Sequence, residues 1–308
     1  MPDPVPNKLS RSWLLFTTSL QVIRQNTKLL LFPMVTSFCL VVMTLFFVAP
    51  ALLYPTGHSL RELSHWVTLG KQFGLDFTDT QQRIHPNAYF YGYLAVLYLV
   101  SMFLATFFNA ALYSEIMKAL AGDPVSVRAG LRFAWFRARS ILIWSLFAGI
   151  VGLIIQALEE QFGWVGRWVM RFVGVLWSVA SVFAIPVLIR QGGTNPLAML
   201  RDSAGALRKT WGESLIGYVG VTVGSWIILL ASLVYLAGSI MLAVALNQPL
   251  VAFVAVALWL AAMIALAYLA SVAGHVYRCA LYVYASEGVV PAPYTVEMMD
   301  AAWKIKKG

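Results

Sequence analysis

Tyr268, Ser271, His275, Arg278 and Tyr282 follow one another at spacings of three and four residues. On a helix they fall within an arc of about 80°, a continuous polar stripe in an otherwise apolar segment. Such a stripe faces protein or water, because a charge turned to lipid is costly. One reading is a vestibule lined by these side chains and open to the inner side of a membrane. The other is that His275 and Arg278 lie at the inner interface, their heads reaching toward lipid headgroups. Counting ~20 residues from Leu250 places the inner end of the segment near Ala270, which favours the second reading.

A second stripe holds Tyr98, Thr106, Asn109 and Tyr113. Asn109 lies deepest, and its amide suits a hydrogen bond between helices, worth ~1 kcal/mol. Glu115, nearly opposite, is an acid close to the inner rim, and Arg278 at similar depth is its expected partner. The residues singled out for a polar path or ion pair are therefore Asn109, Tyr113, Glu115, Tyr268, Ser271, His275 and Arg278. Glu159 and Glu160 suggest an acid–base couple, but adjacent helical residues diverge by about 100° and are poorly placed to share a site. They are expected to end a span on the outer side.

Other chemistry is not visible. There is no Gly-rich phosphate loop with Lys, no His-Glu-x-x-His and no Gly-x-Ser-x-Gly. His58 and His65 stand seven apart, too far for one ion without a ligand between them, and surface positions are expected for them and for His85. Cys39 and Cys279 read as packing residues, not a disulfide framework or zinc site. No catalytic residue, metal or cofactor is assigned, and a non-enzymatic protein is expected.

The elements that carry these residues are six apolar runs, near 29–54, 88–114, 140–158, 168–190, 214–246 and 250–285. Each reaches the ~20 residues needed to cross ~30 Å of hydrocarbon. With 60% hydrophobic and 11% charged residues, part of the apolar surface must be solvated by lipid. The runs do not alternate in polarity, which excludes a β-barrel. The expected class is all-α: a polytopic membrane protein with six transmembrane helices and cytoplasmic interfacial amphipathic helices. Three parts are expected: a cytoplasmic amphipathic segment at 1–28, a six-helix domain of three hairpins at 29–285, and a cytoplasmic tail at 286–308.

Numbering these spans, the segments preceding the first, joining the second to the third and the fourth to the fifth, and following the sixth hold 17 Lys and Arg; the others hold 5. The positive-inside bias puts both termini in the cytoplasm and the 55–87 loop outside, in the inner membrane of the cell. The start Met1-Pro-Asp-Pro-Val-Pro does not read as a cleaved signal peptide. Topology and attraction to anionic headgroups account for the net charge of +9 without nucleic acid. Each hairpin is preceded by an amphipathic basic segment: Lys8–Gln25, Val125–Ser140 and Pro196–Glu213. Pro124 and Pro196 suit first-turn positions, capped by Asp123 and Asn195. Trp13, Trp135 and Trp211 occupy comparable places in these segments, which reads either as an internal repeat or as a likeness common to positive-inside loops. In the outer loop, Leu60, Leu63, Trp66, Val67 and Leu69 predict a short helix. Gly217, Gly220 and Gly224 mark a face suited to close helix approach or dimerisation.

Leu30-Leu31-Phe32-Pro33, Phe183-Ala184-Ile185-Pro186-Val187 and Lys209-Thr210-Trp211-Gly212-Glu213 together resemble a prokaryotic family of six-span membrane proteins of unknown function. The resemblance implies an all-helical integral membrane domain and carries over no catalytic residues. The expected function is passage of a small solute or ion, or lipid handling at the inner leaflet. The alternative is a scaffold that binds another membrane protein or a second copy. A continuous polar cavity ending at His275 would mark the first, a lateral lipid-lined groove the second, and a solid core with an exposed glycine face the third.

Overall fold

In the computed structural model, residues 8–72, 87–161, 163–210 and 214–301 are described, with the backbone alone described at 8–12, 51, 165, 209–210, 214–228, 231 and 300–301. These residues form helices and turns, with no strand among them. In chain order the helices are α1 (Lys8–Gln25), a 3₁₀ turn (Thr27–Leu30), α2 (Leu31–Leu52), α3 (Leu63–Gln72), α4 (Ala88–Leu120), α5 (Val127–Phe136) and α6 (Ala138–Gln161). There follow α7 (Trp164–Ala180), α8 (Ala184–Gln191), α9 (Pro196–Thr210), α10 (Ser214–Ala245), α11 (Pro249–Glu287) and α12 (Val296–Ala301). Each apolar run is thus helical. Five stretches among the described residues are long and apolar enough to cross a membrane: Thr27–Pro50, Ala88–Leu120, Ala138–Gln161, Gly166–Gln191 and Pro249–Glu287.

Local chemistry explains several boundaries. The Asn87 side chain accepts the Phe90 N–H at 3.0 Å and starts α4. Asn195 accepts the N–H groups of Leu197 and Ala198 and starts α9, as its type and place before Pro196 predict. Asp123 does not cap α5. The Ser126 N–H is held by the Glu115 carboxylate at 2.8 Å, and the helix begins after Ser126, leaving Pro124 in the connection. The predicted 125–140 segment divides at Arg137 into α5 and the start of α6. The outer-loop helix is present as α3, but His65 on it is not a surface residue: it is buried, with Nδ1 2.6 Å from the Thr56 hydroxyl. His85 and the Thr-Trp-Gly-Glu segment lie outside the described residues or on backbone alone, as do the side-chain surroundings of Gly217, Gly220 and Gly224.

Packing is unequal along the long helices. The core joins Leu29, Phe32, the 110–117 stretch of α4, Ile141 and Trp144 of α6, Phe183 to Leu188, and the 272–283 stretch of α11. All of these lie toward the end where most Lys and Arg reside. The opposite halves of α2, α4, α6, α7 and α11 expose large apolar side chains such as Phe46, Tyr91, Ile154, Phe172 and Leu258. No residue from Pro249 to Ser271 of α11 is buried. Within the expected tail, the described residues to 301 pack on the helices: Tyr294 and Met299 are buried, and α12 packs on α1.

Candidate functional site

The basic ends of α4 and α11 abut, and three of the predicted residues meet there. The Tyr113 hydroxyl lies 2.9 Å from His275 Nδ1, and Arg278 Nη1 donates to the same hydroxyl at 3.4 Å. The two rings stand edge to face at 5.2 Å. The spacing of three between His275 and Arg278 puts both on the face of α11 turned toward α4. Tyr268, two turns away, donates its hydroxyl to the Leu30 carbonyl at the end of the 3₁₀ turn before α2. The stripe is therefore engaged in tying α11 to α4 and to the 3₁₀ turn. Ser271 on the same stripe is exposed, and half-buried Asn109 makes no side-chain hydrogen bond among the described residues. The expected bridge between helices through this amide is not made among the described residues.

Glu115 is placed differently from the sequence expectation. Its side chain has 0% exposure, and Oε1 lies 2.6 Å from Lys118 Nζ one turn along α4. Oε2 accepts the Ser126 N–H, so the carboxylate also holds the entrance to α5. Arg278 is not its partner. The reason is lateral: α5 lies across Glu115, whereas α11 meets the Tyr113 face. The approach of α5 is very close. A Cβ at Gly130 would stand 2.8 Å from Glu115 Cγ, 2.8 Å from Phe32 Cζ and 2.9 Å from the Ala111 carbonyl oxygen. Only glycine fits without displacing backbone.

Sequence reasoning did not find Ser203. The span at 164–191 is broken between α7 and α8, and fully buried Ser203 of α9 bridges the break. Its hydroxyl accepts the Phe183 N–H at 3.0 Å and donates to the Ala180 carbonyl at 2.6 Å. Pro186 lies just beyond the break, but nothing local identifies a partner twenty residues on. Beyond the break, α8 ends at Gly192 with φ +67°, and the Arg137 guanidinium occupies the space a side chain would need. Arg190 pairs with Glu287 of α11 at 2.7 Å. At the opposite end, Arg171 Nε donates to Glu159 at 2.9 Å, joining α6 to α7, while Glu160 accepts from Gln156.

The C-terminal segment closes over α1. The Ser19 and Tyr294 hydroxyls are 2.7 Å apart, and Thr18 approaches the Met298 sulfur at 3.8 Å. Burial pushes the Tyr294 phenol up, opposed by the Ser19 bond. Among the described residues no group of three or more His, Cys, Asp or Glu side chains is placed to hold a metal. Cys39 and Cys279 are free thiols on α2 and α11.

Residues 88–291, from the start of α4 to just beyond α11, match the model of a family of unknown function, DUF6159. The chain belongs to this family. No curated protein and no solved structure matches it. The matched region takes in α4, α5, α8 and α11, and so the Tyr113–His275–Arg278 contact and the Glu115 site, but not α1 or α2. The helical structure of the described residues and five apolar stretches of membrane length support a membrane protein of unknown function.

Proposed function

We propose that this is a six-span protein of the inner membrane, with both termini cytoplasmic, that handles lipid along the exposed apolar surface of the outer half of α11. α10 supplies the sixth span, a 32-residue helix with no charged residue in its sequence. The 17-to-5 division of basic residues supports the orientation. α1, α5 and α9 are read as helices at the inner interface. The exposed Trp135 and Phe136 (73% and 78%), beside exposed Arg132 and Arg139, suit the headgroup boundary and anionic lipid.

The observation that carries the lipid reading is the absence of any buried residue from Pro249 to Ser271 of α11, beside nearly complete burial from Val272 to Val283. In a bundle closed around a solute path, a span's inward face is covered by its neighbours. Here the outer half of α11 has a seam with α10, at Ser232 and Met263, Tyr268 reaches the Leu30 carbonyl, and Leu258, Leu260 and Ile264 offer apolar surface. Of the residues suited to a polar path, Tyr113, His275, Arg278 and Tyr268 are engaged in contacts between elements. The same exposed face supports a second reading, a seat for a partner's transmembrane helix or a second copy.

The test is transbilayer movement of headgroup-labelled phosphatidylglycerol and phosphatidylcholine in vesicles containing the purified protein, with ion flux measured in parallel. Lipid movement above that of protein-free vesicles, without ion flux, is expected. Ion flux without lipid movement would overturn the reading. Movement of neither, with dimers captured by cross-linking from Leu258→Cys in a variant lacking Cys39 and Cys279, would favour the seat.

A further inference from the structure

At the end of the bundle opposite the basic one, α6 and α7 bring four charged side chains to one cleft: Glu159 and Glu160 from the last turn of α6, and Arg167 and Arg171 from the first two turns of α7. The cleft is open and has a volume of about 790 Å³. Two of the four charges are engaged with each other. Arg171 Nε donates to Glu159 Oε1 at 2.9 Å, and the Arg171 guanidinium lies over the Trp168 ring, 5.8 Å from its centroid. The other two have no charged partner among the described residues. Glu160 accepts from the neutral Gln156 amide at 3.3 Å, and the Arg167 guanidinium makes no hydrogen bond or ion pair among the described residues. The cleft therefore presents one negative and one positive group, both exposed, in a setting of no net charge.

The surroundings indicate the class of ligand. Ala138–Gln161 and Gly166–Gln191 are both of membrane length, and the cleft lies where the first ends and the second begins. Trp164 and Trp168, exposed one turn apart on α7, are of the type that settles at the level of lipid headgroups. Toward the bilayer, Leu153, three residues before Gln156, and Val175, one turn after Arg171, continue the same helical faces and are exposed. A ligand held here is therefore amphipathic, its polar part among the charges and its chains along the apolar faces. A phosphate alone would gain from Arg167 but meet two carboxylates. A quaternary ammonium has no N–H to give Glu160, and Arg171 already lies over the Trp168 ring that would attract it. A primary ammonium fits. It donates to the Glu160 carboxylate and to the Gln156 carbonyl, which stays open to it while the amide nitrogen serves Glu160.

We propose that this cleft binds the headgroup of an aminophospholipid, a primary ammonium joined to a phosphodiester, with Glu160 and Gln156 accepting from the ammonium and Arg167 donating to the phosphate. The site lies on a different surface from the α11 face and goes beyond the function proposed above, since binding does not require that lipid be moved. The test uses full-length protein in phosphatidylcholine nanodiscs with a trace of photoreactive lipid. The lipid carries a diazirine in one acyl chain close to the glycerol, and is compared in its ethanolamine, choline and glycerol headgroup forms. Cross-links are mapped by mass spectrometry on peptides covering 153–175. The ethanolamine lipid is expected to label them roughly fivefold above the other two, about what one ion pair at an exposed position supplies. Glu160→Gln and Arg167→Gln should each bring it down to the level of the choline lipid, with the unfolding midpoint unchanged because both side chains are exposed. Equal labelling by all three lipids would overturn the proposal, because the cleft would then merely lie at headgroup depth. So would a preference for the glycerol lipid, which would make the arginines a site for anions, or a preference for ethanolamine that survives in both variants. Soluble glycerophosphoethanolamine that displaces the lipid at equal concentration would also overturn it, because the acyl chains would then contribute nothing. Selective labelling in a protein that moves no lipid retains this site and removes only the function proposed above.

Discussion

Replacing Ser203 with alanine removes one hydroxyl that serves two backbone groups at the break between α7 and α8. The Phe183 N–H loses its acceptor at 3.0 Å, and the Ala180 carbonyl loses a donor at 2.6 Å. Ser203 and Phe183 are buried, so solvent does not replace these bonds easily. A buried donor or acceptor left without a partner costs about 1–3 kcal/mol, and the volume lost is that of a single oxygen. Allowing the carbonyl to recover part of its loss through its second lone pair, Ser203→Ala is expected to destabilise by about 2–4 kcal/mol. At 1.4 kcal/mol per decade, even the lower figure raises opening of the Phe183 amide more than about tenfold. The assay is amide hydrogen exchange in nanodiscs, read on peptides covering Ala180–Phe183, together with reversible unfolding in mixed micelles. Ser203→Thr retains the hydroxyl and should recover much of the protection. If Ser203→Ala leaves exchange at Phe183 and the unfolding midpoint unchanged, the hydroxyl does not hold the break, and the α7–α8 interruption is stabilised by packing alone.

Glu115→Ala should destabilise by about 2–4 kcal/mol, since it leaves the Ser126 N–H and Lys118 without their acceptor. A double-mutant cycle should show coupling above ~0.5 kcal/mol with Lys118→Met and none with Arg278→Gln, and the reverse result would refute the assigned pairing. Gly130→Ala should cost about 1–3 kcal/mol, because its Cβ meets a carbonyl oxygen and two packed side chains within 2.9 Å. Gly205→Ala, which meets nothing within 4 Å on α9, should be neutral or stabilising by up to ~1 kcal/mol, so equal effects in chemical unfolding would contradict the closeness of α5 to α4. For topology, Asp202→Cys in a variant lacking Cys39 and Cys279 should label only when the inner face is open, and Leu60→Cys in intact cells. Ser203, being buried, is unsuited to labelling, and Asp202 reacting from outside would reverse the proposed orientation.

The sequence by itself determined where the long helices run. Hydropathy summed over about twenty residues is a local quantity, so the run near 88–114 reappears as α4 and that near 250–285 as α11, each longer by a few residues at its ends. Asn195 before Pro196 was equally legible, because a cap acts within its own first turn. The spacing of His275 and Arg278 correctly placed them on one face, and both reach Tyr113. What the tertiary structure decided was which faces meet. Lys118 stands one turn from Glu115, but the sequence reading expected Arg278 as its partner, and the choice between them depended on α5 crossing Glu115 while α11 turned to Tyr113. The burial of His65, the close approach at Gly130 and the bridge from Ser203 depend likewise on contacts between elements. Lipid exposure drives each apolar run to become helical without specifying its neighbours, because lipid tails are as apolar as the side chains they meet. The pairing of helices is therefore written in a few buried polar groups and glycines, whose partners lie far off in the chain and become apparent only once it is folded.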